Sequence, residues 1–412
     1  YRVRLNRYNY DAGIVSVDSP SVYACKGTKN IVVRVNNNGK KQFTGVDVNW
    51  KWNGVTQTTA TYSGTLDTIN GTGNNTAQVK LGSKSFTLGK SDTLIAWTKN
   101  PGSITDSLNF NDTIKYIFRG SYSDTLTVGG SSPSFSTITD AVTALITNGI
   151  CGNTFIKIRP GTYNEQIKIT AIPGTEGNNT VTFLSSNNDS SSVVINFSSN
   201  SSNNYTVNLN NARNIIFNKI TIEALNSTYG TALFLNGSIE NVSLKNCSVI
   251  GKSTTSTGSN MYTIYRRYSA NNEKTNNISI DRSRVSYGSS GIFFDNPYST
   301  PGNVFSLTNS VVENSYYYNL YLGSAKNVTI INNNLDRGSS SLEYGYGIML
   351  YNVSDSGNIS KNYITQRNGS QGGIYLNSCN GSSTRQLKVY NNFISVRSAS
   401  GYSYNALNSY YS

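Results

Sequence analysis

Twenty-one carboxylates, four cysteines and no histidine set the chemistry open to this 412-residue chain. Acid–base hydrolysis of a glycosidic bond needs two carboxyl groups about 5–10 Å apart. The acidic residues of the second half (Glu223, Glu240, Glu273, Asp281, Asp295, Glu313, Asp336, Glu343, Asp355) are sparse and out of phase with one another. Asp295 and Glu343 come nearest to a pair, and each reads first as a solvated turn residue. A Ser-His-Asp arrangement is excluded by the missing histidine. Cys25, Cys151, Cys247 and Cys379 lack the close spacing of a metal-binding set. The expectation is therefore no catalytic residue, no metal site and no cofactor. Cys247 reads as a buried small apolar residue. Cys25 and Cys151 read as a candidate bridge between domains.

The other recurring chemistry is aromatic. Leu233-Phe234-Leu235, Ile264-Tyr265, Ile292-Phe293-Phe294, Leu320-Tyr321-Leu322, Ile348-Met349-Leu350 and Ile374-Tyr375-Leu376 recur about every 28 residues. Side chains alternate in direction along a strand. If the flanking aliphatic residues form a core, then Phe234, Tyr265, Phe293, Tyr321, Met349 and Tyr375 point outward. Stacked at about 4.8 Å per coil, they would form a column about 24 Å long. Such a column serves one of two ends. It braces a flat sheet through ring contacts, or it binds sugar or protein as an exposed apolar stripe. These six residues are the candidate ligand contacts.

The column requires a repeating scaffold, and a second motif supplies one. Large apolar residues five apart recur as Phe217/Ile222, Leu244/Val249, Ile280/Val285, Leu307/Val312, Ile330/Leu335, Ile359/Ile364 and Val389/Ile394. Between them stand Asn246, Asn309, Asn332, Asn333, Asn362, Asn391 and Asn392. Asparagine accepts left-handed backbone and can stack its amides, so it suits a repeated corner. Two motifs in step mean stacked coils with at least two strands each. Ser243, Ser279, Ser306 and Thr329 are the outward residues of this second motif, a small polar ladder. Ahead of the coils, Ile138, Ala141, Val142, Leu145 and Ile146 share one helical face, with Thr137 and Asp140 as a start signal and Gly149 as a stop. One helix over 136–149 would plug the open end of the coil.

Residues 10–117 show short alternating runs between turn signals, including Ile31 to Val35, Val46 to Trp52 and Leu94 to Trp97. Six or seven such strands in about 100 residues predict a sandwich. The predicted class is all-β: an Ig-like β-sandwich over 10–117, then a right-handed parallel β-helix over 134–412 with one N-terminal capping helix. Residues 1–9 read as the end of a preceding segment and 118–133 as a linker. The strand-like last residues predict a β-helix cut short at its C-terminal end, and both chain ends read as cuts in a longer polypeptide.

The 34 basic residues give a net charge of +13, but they are scattered. A nucleic-acid binder would concentrate them in a patch, so nucleic acid is not expected. Acidic polysaccharide fits a diffusely basic surface better. No stretch approaches the roughly 18–20 consecutive apolar residues of a membrane span.

Phe135-Ser136-Thr137-Ile138-Thr139-Asp140-Ala141-Val142, followed by Phe155-Ile156-Lys157-Ile158-Arg159-Pro160-Gly161-Thr162-Tyr163-Asn164-Glu165, resembles the start of pectinesterase-like β-helix proteins. In that family a capping helix precedes a strand and a G-x-Y-x-E turn. The resemblance implies the fold and not the activity. The family's later motifs (Q-A-V-A, Q-D-T, D-F-I-F-G, G-R-P-W) are absent, as are the clustered acids of polygalacturonases and pectate lyases. Asp11-Ala12-Gly13-Ile14, Tyr23-Ala24-Cys25-Lys26-Gly27, Val48-Asn49-Trp50 and Ala96-Trp97-Thr98 resemble CARDB-type adhesion modules. The pairing of the two resembles large secreted surface proteins of Bacteroidota-type bacteria, exported by the type IX system. That implies a location outside a Gram-negative cell. It also implies as partners surface glycans or polysaccharide, other domains of the same polypeptide, and the secretion machinery during export. Asp-Ser/Thr-aliphatic triplets at Asp67, Asp92, Asp106, Asp112 and Asp124 resemble O-glycosylation acceptors of those bacteria, with Thr68, Thr93, Ser107, Thr113 and Thr125 as the modified residues. The function expected is an adhesin or structural rod, with a carbohydrate-active enzyme or a passive stalk as alternatives.

Overall fold

The computed structural model describes residues 8–106, 108, 110–340, 342, 345–367, 372–381, 384–397 and 405–410. It divides into two compact units: residues 1–123 with 148–152, and residues 124–147 with 153–412.

The first unit is a β-sandwich. Ala12–Ser19, Gly27–Asn37 and Thr76–Phe86 form an antiparallel sheet with Gly27–Asn37 in the middle. Phe43–Trp52 lies between Ala60–Leu66 and Ser91–Lys99 in the other, where Ser91–Lys99 also pairs with Thr113–Val128. Strict alternation in Gly27–Asn37 puts Ile31, Val33 and Val35 inside. They belong to one core with Val46, Val48, Trp50, Leu94, Ala96 and Phe118. Trp52, Phe86 and Phe118 meet at centroid distances of 5.4–5.7 Å, which adds about 0.5–1.5 kcal/mol per ring pair beyond burial. Residues 118–128, read from sequence as linker, continue the strand Thr113–Val128 instead. Phe118, Tyr122, Leu126 and Val128, at the even spacing of one strand face, are buried. Cys25 and Cys151 form a disulfide. It lies within the first unit rather than between domains, because residues 148–152 pack with that unit.

The second unit is a parallel β-helix with three strands per coil, one more than the minimum the repeats required. The five-residue apolar spacing spans a corner. Phe217, Leu244, Ile280, Leu307, Ile330, Ile359 and Val389 are in register in one sheet. Ile222, Val249, Val285, Val312, Leu335, Ile364 and Ile394 are in register in a nine-stranded second sheet. The aromatic motif forms the third sheet.

The corner asparagines divide into two kinds. Asn246, Asn309, Asn332 and Asn391 take positive φ, joined at the same bend by Lys219, Arg282 and Lys361. The next residue of each coil turns inward and forms a continuous ladder. Ser283 Oγ accepts from the Cys247 amide (3.1 Å), Ser310 Oγ from the Ser283 amide (3.1 Å), Asn333 Oδ1 from the Ser310 amide (2.9 Å), Asn362 Oδ1 from the Asn333 amide (3.0 Å) and Asn392 Oδ1 from the Asn362 amide (3.1 Å). Backbone amides that a sharp corner turns away from strand pairing are thereby satisfied. Cys247 stands in this ladder, buried, its thiol pushed up to about 11 by burial.

The helix is Ile138–Asn148, with Ile138, Ala141, Val142 and Leu145 buried. Thr137 Oγ1 accepts from the Asp140 amide at 3.0 Å, as the start signal predicts. Glu165 gives the G-x-Y-x-E turn a purpose: its carboxylate accepts from the amides of Ile138 (3.1 Å) and Thr139 (2.8 Å), capping the positive end of the helix.

Candidate functional site

Parallel pairing puts Phe234, Tyr265, Phe293, Tyr321, Met349 and Tyr375 in one row across the third sheet. Each is half-buried between fully buried neighbours, as outward residues of a strand must be. The rings touch along the row: Phe234–Tyr265 at 5.4 Å, Tyr265–Phe293 edge to face at 6.0 Å, Phe293–Tyr321 stacked at 4.2 Å with 6° between planes.

Two features were not read from the sequence. The first is a shelf of buried tyrosines along one side of the row. Tyr262 stacks on Phe293 at 4.3 Å, Tyr346 on Tyr375 at 4.8 Å, and Tyr318 leans on Tyr321 at 5.7 Å. Burial raises the Tyr262 and Tyr318 hydroxyls far above their ordinary range and lifts Tyr321 to about 12. These phenols are neutral hydrogen-bonding groups at any physiological pH. The column side chains are thus partly covered by their neighbours and keep an intermediate exposure.

The second feature is a polar row beside the first. Strand alternation places the residues two positions on, Asn236, Arg267, Asp295, Tyr351 and Asn377, on the same outward side. Asn236 pairs with Arg267, Asp295 with Gly323, and Tyr351 with Asn377. Gly323 leaves a notch. A Cβ there would lie 3.0 Å from Asp295 Oδ1 and 3.3 Å from the Tyr321 hydroxyl, so a carboxylate and a phenol converge on it. Burial lifts the Asp295 carboxyl above the ordinary carboxylate range, while Arg266 and Arg267 pull it back down. Counting two residues past each aromatic would have found this row in the sequence.

Arg266 could not have been foreseen. It occupies an inward position, aligned with Leu235 and Phe294, and is fully buried. Its Nε donates to Thr275 (2.8 Å) and it pairs with Glu273 at 3.2 Å.

Of the two acids nearest to a pair, Asp295 is the one just described and Glu343 lies outside the described residues. The charged groups acting on Asp295 are arginines rather than a second carboxylate. Among the candidate glycosylation residues, Thr113 and Thr125 are exposed, Thr68 and Thr93 are half-buried, and Ser107 lies outside the described residues. Asp106 and Asp112, which open two of those triplets, are buried together with Asp11.

No family profile and no curated protein matches the sequence. Solved structures do. The CARDB domain of a Pyrococcus furiosus protein, solved in complex with di-metal ions, is 14% identical; the match covers 29% of this chain and 96% of that one, with a TM-score of 0.22. The GH136 lacto-N-biosidase of Eubacterium ramulus is 8% identical over 70% of this chain, TM-score 0.47, and the match spans 56% of the enzyme's length. The pectin methylesterase PemA of Erwinia chrysanthemi is 12% identical over 66% of this chain and 93% of that one, TM-score 0.34. The chain is an all-β protein with a β-sandwich and a parallel β-helix, and the solved structures it is similar to include a CARDB domain and pectin methylesterases.

Proposed function

We propose that this chain is an adhesive rod on the outer surface of a Gram-negative bacterium, whose third sheet binds polysaccharide or other surface glycans. The observation that carries this reading is the paired rows. Partly exposed, mostly aromatic side chains, held in register over six coils, lie beside Asn236, Arg267, Asp295, Tyr351 and Asn377. A sugar ring offers an apolar face and a rim of hydroxyls, which suit an aromatic platform flanked by hydrogen-bonding groups. The diffuse charge of +13 favours an acidic chain. The Cys25–Cys151 disulfide fits an oxidising compartment outside the cytoplasm, and export through the type IX system fits the same reading. The sandwich acts as a spacer, and other domains of the same polypeptide carry the rod. Among the described residues, Asp295 is the feature that favours a carbohydrate-active enzyme. Hydrolysis needs a second carboxyl group, so the adhesive reading is preferred.

The test is a polysaccharide and glycan binding screen of the purified chain at low and moderate salt, repeated with Tyr321→Ala and Tyr375→Ala together. Binding that survives salt and weakens about tenfold or more in the double variant is the expected result. Binding lost with salt alone, or unchanged in a folded double variant, would leave charge or a passive stalk as the explanation.

A further inference from the structure

Among the described residues, three acids of the sandwich gather closely. Asp11 precedes the strand Ala12–Ser19, while Asp106 and Asp112 belong to the connection from Ser91–Lys99 to Thr113–Val128. All three are buried, and one carboxylate oxygen from each lies within 4.8 Å of the others. Nearly a hundred residues of chain separate Asp11 from the other two, so only the folded sandwich makes the cluster.

Some of these oxygens are satisfied. Asp106 Oδ2 accepts from the Ala12 amide at 2.9 Å and Oδ1 from the Leu108 amide at 3.0 Å. Asp11 Oδ1 accepts from Asn111 Nδ2 at 2.7 Å. Asp112 is different. The residue is only 6% exposed, and its Oδ1 is sealed from solvent with no hydrogen-bond partner. The amide oxygen of Asn111 is in the same condition. Among the described residues, neither Asp11 nor Asp112 takes part in an ion pair. Buried like charges with orphaned lone pairs are strongly unfavourable unless a cation or protons neutralise them.

We propose that Asp11, Asp106 and Asp112 bind a calcium ion in the sandwich domain, with the Asn111 side-chain oxygen as a further ligand. The donor set is oxygen only, which selects a hard cation over zinc or copper. Three oxygens that all lie within 4.8 Å of one another can share one ion at the roughly 2.3–2.6 Å bonds of calcium, and calcium accepts an irregular oxygen shell where magnesium demands a near-ideal octahedron at about 2.0–2.1 Å. Three carboxylates around a divalent ion leave a single net negative charge. The ion ties the start of the first strand to the connection that leads into the last, and so closes one end of the sandwich. It also gives the aspartates of two Asp-Ser/Thr triplets a role that needs their burial.

The full chain is stripped with EDTA, titrated with calcium chloride by calorimetry, and assayed for bound metal by atomic emission after gel filtration. The expected result is about one calcium per chain, a higher unfolding midpoint with calcium than with EDTA, and a weaker response to magnesium. Asp112→Asn keeps the shape and removes a charge. It should abolish calcium binding and raise the midpoint in EDTA above that of the stripped wild type. A wild-type chain that takes up no calcium at millimolar concentration overturns the proposal, and the carboxylates then share protons. Should Asp112→Asn fail to fold, the wild-type titration and metal count decide the matter alone.

Discussion

Replacing Asn362 with alanine tests whether the inward ladder holds the coils together. Asn362 is fully enclosed. Its Oδ1 accepts from the Asn333 amide (3.0 Å) and from Asn333 Nδ2 (2.9 Å), and its Nδ2 donates to the Ile330 carbonyl (2.8 Å) and to Asn392 Oδ1 (2.9 Å). Alanine leaves the Asn333 amide without this acceptor inside the coil, a cost of about 1–3 kcal/mol. Loss of the two Nδ2 bonds adds about 1–3 kcal/mol at ordinary hydrogen-bond strength. Asn333 Nδ2 keeps its bond to the Leu307 carbonyl, which limits the damage. The total is about 2–5 kcal/mol, concentrated on the coils around residues 330–396. Asn332→Ala is the control. Asn332 is exposed and takes φ 57°, and among the described contacts its side chain bonds only Asn309 Oδ1, at 2.8 Å. Its replacement should cost about 1–2 kcal/mol, mostly because alanine lacks the short amide side chain that eases left-handed backbone. Hydrogen exchange read by mass spectrometry resolves the local loss, and urea unfolding gives the total. If Asn362→Ala destabilises no more than Asn332→Ala, the ladder is decorative and the reasoning fails.

Three further outcomes are expected. Removing the disulfide with Cys25→Ser and Cys151→Ser frees a loop 126 residues long; loop-closure entropy sets the loss at about 5 kcal/mol, read as a lower urea midpoint for the sandwich. In chelator, the sandwich should lose stability as pH rises from 5 to 8. Burial, with Asp106 and Asp11 adding to it, raises Asp112 to about 7 from the ordinary 3.8. Between those values the folded state holds a proton that the unfolded chain has released, so the contribution is most favourable below the lower value and is lost as pH passes the upper one; a flat profile would count against that shift. Glu273→Ala leaves Arg266 buried without its partner and should cost about 3–5 kcal/mol, whereas Arg266→Leu, which puts an apolar residue between Leu235 and Phe294 and leaves Glu273 its bonds from Ser269 and Ala270, should cost less; denaturation of the two variants compares them.

Much of the β-helix was legible because its signals are local and repeated. Strand alternation alone assigns Phe234, Tyr265, Phe293, Tyr321, Met349 and Tyr375 to the outer side, and the 28-residue repeat alone puts them in one row. The capping helix was legible from its apolar face and from Thr137. The corner asparagines were legible only as a group. Composition cannot say which of two adjacent asparagines takes the left-handed bend and which turns inward, since that depends on the coil above supplying an amide. The shelf of Tyr262, Tyr318 and Tyr346 arises where loop and strand residues meet from different coils, and no periodicity announces it.

Sequence by itself determined the fold class, the aromatic row and the lack of any histidine-based chemistry, because each follows from residue type and short-range period. Tertiary structure decided everything that depends on distant segments meeting. Asp11 joins Asp106 and Asp112, Cys25 joins Cys151, Glu165 caps a helix that precedes it, and Arg266 takes a core position because Glu273 and Thr275 are folded back to receive it. A buried charge is read as solvated in a sequence, since burial belongs to the packed chain and not to the residue.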